Sequence, residues 1–377
     1  MDFPETDQYE ALLCADVPLL DVRAPVEFAQ GAFPGSCNAP LMSDEERARV
    51  GTCYKHEGHD AAVALGHRLV SGDVRTARIE AWKEYCETHP GVVLYCFRGG
   101  MRSRITQQWI YEETGLLIPR ISGGYKALRR FLIEQTAVLA GCMQPLILSG
   151  RTGSGKTLLL RELGHAVDLE GLANHRGSSF GRHVSPQPTQ IDFEHRVAIA
   201  LLKLRQSGVE RVVLEDESPN IGSVHIPHPL YQRMREAPSV VLEAPLEVRV
   251  DITLREYVVD MLQEYCLCEG DAERGFVAFG EYLRNSLARI RRRLGGLAHT
   301  ELLALLDKAL QEQQASGEVS AHREWLRRLL VDYYDPMYDY QQQKRGRRIL
   351  HRGDFSGLLA FLRIENEQKA ALESAGG

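Results

Sequence analysis

Residues 145–164 read PLILSGRTGSGKTLLLRELG. PLILSG is an apolar run of strand length, and KTLLLRELG has the spacing of a helix. Between them, Gly150-Arg151-Thr152-Gly153-Ser154-Gly155-Lys156-Thr157 fits G-x-x-x-x-G-K-[ST] in the strand–loop–helix setting that this P-loop pattern requires. The glycines Gly150, Gly153 and Gly155, with Ser154 among them, let successive backbone N–H groups converge on phosphate oxygens, and the helix N-terminus adds positive potential. Lys156 is placed to neutralise a terminal phosphate and Thr157 to hold Mg²⁺. The motif points to phosphate binding and does not by itself imply ATP hydrolysis. A metal-positioning carboxylate is expected after a later buried strand. RVVLEDES, residues 211–218, offers Glu215 or Asp216 there.

Outward from this stretch the chain alternates strands and helices. SVVLEAP at 239–245 supplies another strand of the same domain. Upstream, PLLDVR (18–23) and GVVLYC (91–96) read as strands, and RSRITQQWIYEETG (102–115) as a helix ended by Gly115. Such alternation predicts parallel sheets covered by helices. From about residue 251 strand signals stop, and ITLREYVVDMLQEYC, FGEYLRNSLARIRRRLG, TELLALLDKALQEQQ and REWLRRLLVDYY all read as helices. The organisation expected is α/β: a first parallel-sheet domain over 1–138, a P-loop domain over 139–250, and a mainly helical region over 251–377.

Composition fits that picture. The 377 residues are 44% hydrophobic and 25% charged, ordinary for a globular protein. No apolar run reaches the roughly 18–20 residues that span a bilayer, and the acidic start MDFPETDQYE lacks the marks of a signal peptide. A cytosolic protein with no membrane partner is expected. The eight cysteines have no framework spacing, so they read as thiols, and Cys266-Leu-Cys268 is no recognised zinc pattern. No structural metal and no tightly bound cofactor are expected. A net charge of −6 argues against indiscriminate nucleic-acid binding but leaves room for local basic surfaces.

A second anion site is Cys96-Phe97-Arg98-Gly99-Gly100-Met101-Arg102-Ser103, after the strand VVLY. A loop between a strand end and a helix start turns its amides inward, which lowers the pKa of a cysteine at its base and makes it nucleophilic. Arg98 and Arg102 add positive charge, and Gly99 and Gly100 allow close approach of an oxyanion. Together with DVRAPVEF (21–28) and GAFPGSCNAP (31–40), this loop resembles the rhodanese family. The resemblance makes Asp21, Arg23 and Glu27 scaffold and Cys37 inert. A sulfurtransferase loop of that family usually carries its arginine five positions after the cysteine, whereas Arg102 lies six after Cys96. The longer spacing is similar to that of rhodanese-like phosphatases, whose wider loop admits a phosphate-sized group.

Over essentially the whole chain the text resembles one family, the tRNA 2-selenouridine synthases. The resemblance rests on DVRAPVEFAQGAFPG, VGTCYKHEGHDAAVALGH, CFRGGMRS, GGYKALR, GRTGSGKT, DLEGLANHRGSSFG, LEDESPNIG and YYDPMYDYQ. Pro219 departs from the pattern, standing where a basic residue is expected. The resemblance implies a transferase acting on tRNA in two steps: S-geranylation of wobble 2-thiouridine by geranyl diphosphate, then displacement of the alkylated sulfur by selenium from selenophosphate. It implies diphosphate at the P-loop, with Lys156 and Mg²⁺ near Thr157 stabilising its departure. It further implies selenium on Cys96 as a persulfide-like species, with Arg98 and Arg102 on the phosphate. Arg176, in His175-Arg176-Gly177-Ser178, is a candidate contact for diphosphate or tRNA. The segment from Lys55 to His67 reads either as an approach to prenyl group or base, or as an ordinary helix.

The tRNA substrate, met at its anticodon region, gives a task to two basic clusters. One is Arg284, Arg289, Arg291, Arg292 and Arg293; the other is Lys344, Arg345, Arg347, Arg348 and Arg352. Three rival readings remain: a rhodanese-like phosphatase or sulfurtransferase, a P-loop kinase with a sulfur-relay domain, and a non-catalytic RNA-binding adaptor.

Overall fold

The computed structural model describes residues 2–374, with side chains described through residue 364. The chain divides into two compact units, Met1–Leu139 with Thr189–Ser207, and Ala140–Pro188 with Gly208–Gly377.

The first unit is built on a five-stranded parallel sheet in the order Glu5–Thr6, Arg120–Ile121, Val93–Tyr95, Leu19–Asp21, Ser36–Asn38. Its two central strands are buried along their whole length, which is why they read as continuous apolar runs and not as alternation. Leu20 and Leu94 face each other across them, and Trp82, Trp109 and Ile110 pack into the same core. Asp21 and Arg23 form a buried pair at 2.6 Å, and Arg23 also donates to Gly31 O and lies 3.8 Å from the centre of the Tyr125 ring. This agrees with a scaffold role for both residues, since losing one partner of a buried pair costs about 3–5 kcal/mol.

Helix Gln190–Gln206 belongs to this first unit, although its sequence lies inside the stretch 139–250 expected to form one domain. Thr189 caps it, Asp192 accepts from Ala32 N at 2.7 Å, and the His195 ring meets Ala32 O at 2.8 Å. Burial pushes the His195 imidazole down to about 4, so it is neutral at pH 7. Gly31 is obligatory at this contact, because a Cβ there would lie 2.3 Å from Ile191.

The second unit carries another five-stranded parallel sheet, in the order Ile349–Gly353, Ser239–Leu242, Gln144–Ser149, Arg211–Glu215, Ala166–Val167. Its edge strand, Ile349–Gly353, corrects the expectation that strands stop near 251. The helices of that region fold between two strands of one sheet and form no separate 251–377 domain. The sequence gives little sign of this strand, because its few apolar residues follow a run of arginines, as suits a sheet edge. Helices Asp260–Glu269, Ala272–Leu294, Gly296–Ser316 and His322–Leu329 enclose a core of Phe180, Tyr257, Phe279, Leu306 and Trp325. No helix among the described residues is long and apolar enough to cross a membrane.

Candidate functional site

In the first unit, Cys96 ends strand Val93–Tyr95, and helix Met101–Thr114 begins five residues later with Gly100 as its N-cap. The amides of that first turn have no helical partners, so the loop sits over an anion-favouring end. The thiol is 2% exposed, and its Sγ–H donates to Ser103 Oγ at 3.3 Å. Ser103 in turn donates to Gly100 O. Ser103 was overlooked in the sequence, though its place directly after Arg102 was the available signal.

The loop is braced from beneath by Gly123-Gly124-Tyr125-Lys126. Tyr125 N donates to Cys96 O at 2.9 Å and Lys126 N to Phe97 O at 3.0 Å. Gly124 has φ +61°, and a Cβ on it would lie 2.3 Å from Cys96 O and 2.4 Å from Gly99 N. Gly124→Ala is therefore expected to destabilise the unit by about 3 kcal/mol or more, summing left-handed strain and a collision with backbone that has no rotamer to yield. Gly58, at φ +88° with open space around it, is the control, and Gly58→Ala should cost only about 1–2 kcal/mol. Urea unfolding of both variants checks this, and equal losses would remove the brace.

Arg102 does not stand free. Its Nη1 donates to Glu27 Oε2 at 2.6 Å and its Nη2 to Glu27 Oε1 at 3.3 Å, and Arg47 approaches the same carboxylate at 3.2 Å. Burial raises the Glu27 carboxyl, but Arg102 and Arg47 outweigh that effect and hold it below the usual carboxylate range. Glu27 thus fixes the arginine of the loop. Arg98 is exposed and unlike Arg102 is not tied to a carboxylate in the described structure. The half-buried Cys37 thiol is raised by burial, which suits an inert residue.

Two cavities adjoin the loop. One, of about 780 Å³, has Cys96, Met101 and Ile105 on one side and Val50, Tyr54 and Val63 on the other. The opposing wall consists of helices Asp44–Glu57 and His59–Leu69, the first begun by a reciprocal Ser43–Glu46 capping box. Of the segment from Lys55 to His67, the residues Lys55, His59, Gly66 and His67 line it. The other cavity, of about 630 Å³, is bordered by Arg98, Lys126, Arg129 and Arg130.

In the second unit the glycine-rich loop joins strand Gln144–Ser149 to helix Lys156–Arg161. Gly153 at φ +77° and Gly155 at φ +88° take conformations closed to most side chains, and a Cβ on Gly150 would lie 2.8 Å from Leu242 O. Lys156 Nζ donates to Gly150 O at 3.0 Å, curling over the loop that precedes it. The Ser154 hydroxyl is buried with no hydrogen-bond partner among the described residues. Lys156, Thr157, Arg176, Asp216 and Arg345 line one cavity of about 810 Å³ with the loop.

Residues far along the chain hold that loop in shape. Arg249 donates to Thr152 O and to both oxygens of Asp335, and Arg151 donates to Asp335 and bidentately to Asp339. Tyr338 meets Ser149 Oγ at 3.2 Å. These contacts account for DPMYDYQ, whose acids clamp the arginines that flank the glycines. Nothing in the sequence marked Arg249 for this role.

The carboxylates depart from expectation. Asp216, expected to position magnesium, accepts from Ser149 at 2.8 Å and is ion-paired with both Arg345 and Arg347. One oxygen of the buried Glu215 accepts from Glu170 N at 2.9 Å, and the other has no partner among the described residues. Burial and the neighbouring charge of Glu170 push the Glu215 carboxyl well up, and burial raises Glu170 and Glu217 beside it. Among the described residues no group of three or more His, Cys, Asp or Glu side chains is placed to hold a metal ion.

Arg176 is paired with Glu264 at 3.1 Å, and burial pushes the His175 imidazole down to about 4 while its Nδ1 accepts from Gly177 N. Of the basic clusters, Arg293 and Arg345 reach the loop cavity. Arg284 is balanced by Asp307, Arg289 donates to Ser179 O and Ser286, and Arg352 lies 3.5 Å from Glu243. Arg291, Arg292, Lys344 and Arg348 are exposed.

Comparison with known proteins places these features in a family. Residues 143–369 match the model described as the tRNA 2-selenouridine synthase AAA domain. A tRNA 2-selenouridine synthase of Marinobacter nauticus is 53% identical over 93% of this chain and 95% of its own length. That of Pseudomonas fluorescens is 51% identical over 98% of this chain and 100% of its own length. The crystal structure of the N-terminal domain of a putative ATP/GTP binding protein from Clostridium difficile 630 covers 31% of the chain at 29% identity, with a TM-score of only 0.27. Identity of this order over nearly the full length leaves one conclusion: the chain belongs to the tRNA 2-selenouridine synthase family.

Proposed function

We propose that the chain converts wobble 2-thiouridine of tRNA to 2-selenouridine by prenyl transfer followed by selenium transfer, at the two loops described. What supports this reading is a pair of glycine-containing loops, each running from a strand end to a helix start, one with Lys156 folded over it and one with the buried thiol of Cys96 at its base.

In the first step the thiocarbonyl sulfur attacks C1 of geranyl diphosphate, the C–O bond breaks, diphosphate leaves and the N3 proton is lost. The P-loop amides and Lys156 stabilise the charge that develops on the departing diphosphate. The donor set does not fit a ready magnesium site, because the Asp216 carboxylate is already neutralised by two arginines and no group of three or more His, Cys, Asp or Glu among the described residues is placed to hold a metal ion. Lys156 supplies the positive charge from the loop itself, while Arg176 and Arg345 at the same cavity are paired with Glu264 and Asp216.

In the second step selenium forms a bond to C2 and the alkylated sulfur leaves as geranylthiol. The rhodanese-like loop meets selenophosphate, with Arg98 and Arg102 opposite its phosphate: the Cys96 thiolate attacks phosphorus, the selenium–phosphorus bond breaks, and the selenide released is the group that attacks C2. Water then hydrolyses the S–P bond on Cys96, giving inorganic phosphate and the free thiol with no net oxidation. S-alkylation turns a poor leaving group into a thiol, which explains the order of the steps. The exposed arginines of both basic clusters serve the tRNA backbone near its anticodon region.

The test is reconstitution with purified protein, 2-thiouridine tRNA, geranyl diphosphate and selenophosphate, followed by mass analysis of nucleosides. S-geranylated uridine is expected to appear first and 2-selenouridine at its expense. Selenation with geranyl diphosphate omitted would overturn the order proposed.

A further inference from the structure

The cavity of about 780 Å³ beside Cys96 is out of proportion to the anion that the loop accommodates. Selenophosphate needs amides and positive charge, and the loop with Arg98 and Arg102 offers these at one end of the cavity. Elsewhere Arg47, Lys55, His59 and His67 reach the lining, but the greater part of the wall is apolar, with Leu41, Met42, Val50, Val63, Ile105 and Trp109. An anion placed against that apolar part would lose its hydration without compensation. Large side chains nevertheless stay uncovered there: Tyr54 is 59% exposed and Met101 43% exposed. An apolar group must therefore accompany whatever reacts at the thiol.

We propose that this cavity is a prenyl-binding pocket, which seats the ten-carbon chain of S-alkylated uridine and so carries C2 of the base to Cys96. The inference rests on the two-step reading above, which supplies an apolar group on the sulfur that is displaced. Pockets of roughly 300–1,000 Å³ hold drug-sized ligands, so a linear ten-carbon chain with the base behind it fits the space. The sequence gives the pocket its form. Gly58, at φ +88°, breaks what would be one long helix into two, so that Val50 and Tyr54 from the first and Val63 from the second converge on the same space. The pocket selects the alkylated intermediate over the unmodified thiocarbonyl, because only the former brings apolar surface to bury.

The experiment supplies the full-length protein with selenophosphate and anticodon stem-loop RNA carrying either S-geranyl- or S-methyl-2-thiouridine. Both sulfurs are activated alike, and only one bears a chain. The protein is expected to selenate the S-geranyl RNA with kcat/KM about 100-fold higher, from the burial of several CH₂ groups. Val63→Trp fills the space and should bring the ratio toward one. Tyr54→Ala, at an exposed position that should not disturb folding, should lower the ratio several-fold. A wild-type ratio near one, or variants that slow both substrates equally, overturns the pocket. If neither S-alkyl RNA is selenated while 2-thiouridine RNA is, the two-step reading itself fails and takes the pocket with it.

Discussion

Lys156→Ala is expected to reduce prenyl transfer to 2-thiouridine tRNA by about 100- to 1,000-fold, the usual cost of removing one preorganised group from developing negative charge. The Lys156 ammonium donates to Gly150 O, so it is folded over the loop whose amides would meet the proposed diphosphate. Alanine removes the charge while leaving the helix start intact, since alanine is the best helix former. Selenation of RNA supplied already S-geranylated should stay within about threefold of wild type, because that step uses the other loop. Single-turnover assays with nucleoside mass analysis measure both. An equal loss in the two steps would show that the loops are not separate sites.

Cys96→Ala reverses the pattern. Selenium transfer should fall below detection while S-geranylated tRNA accumulates, because the only nucleophile in the first loop is gone. The substitution is structurally mild. It deletes one sulfur atom whose sole described hydrogen bond runs to Ser103, so the folded state should lose only about 1 kcal/mol. The comparison with Gly124→Ala is informative, since that variant keeps the thiol but lacks room for the backbone that shapes the loop. Unchanged selenation by Cys96→Ala would remove the thiol from the mechanism.

The two loops were legible in the sequence because their chemistry lies in consecutive residues: a buried strand, glycines, and a lysine or cysteine at the turn. What surrounds them was not. Glu27 and Arg102 meet across 75 positions, and Arg345 reaches Asp216 across 129. No local pattern announces such pairs, so the sequence marks Glu27 as scaffold without saying what it holds, and offers Glu215 or Asp216 as a metal-positioning acid without showing that Asp216 is paired with arginines. Helix Gln190–Gln206 has an apolar face that would suit either unit, and only its contacts at Gly31 and Ala32 assign it. Val50, Ala62 and Val63 carry no distinguishing mark in the sequence, because the side chains that line an apolar cavity are of the same kind as those that fill a core. The reason for GGYK lies in the fold and not in the sequence: Gly124 packs against Cys96 O.

The interleaving of the two units sets a timetable for synthesis. The first unit lacks helix Gln190–Gln206 until residue 206 has emerged, and the second sheet lacks its edge strand until residue 353 has. Arg345 and Arg347, which neutralise Asp216, arrive just before that strand. A nascent chain on the ribosome thus carries the glycine-rich loop long before the groups that complete its surroundings. Until they emerge, the Asp216 carboxylate beside the loop stands without the two arginines that neutralise it in the finished fold.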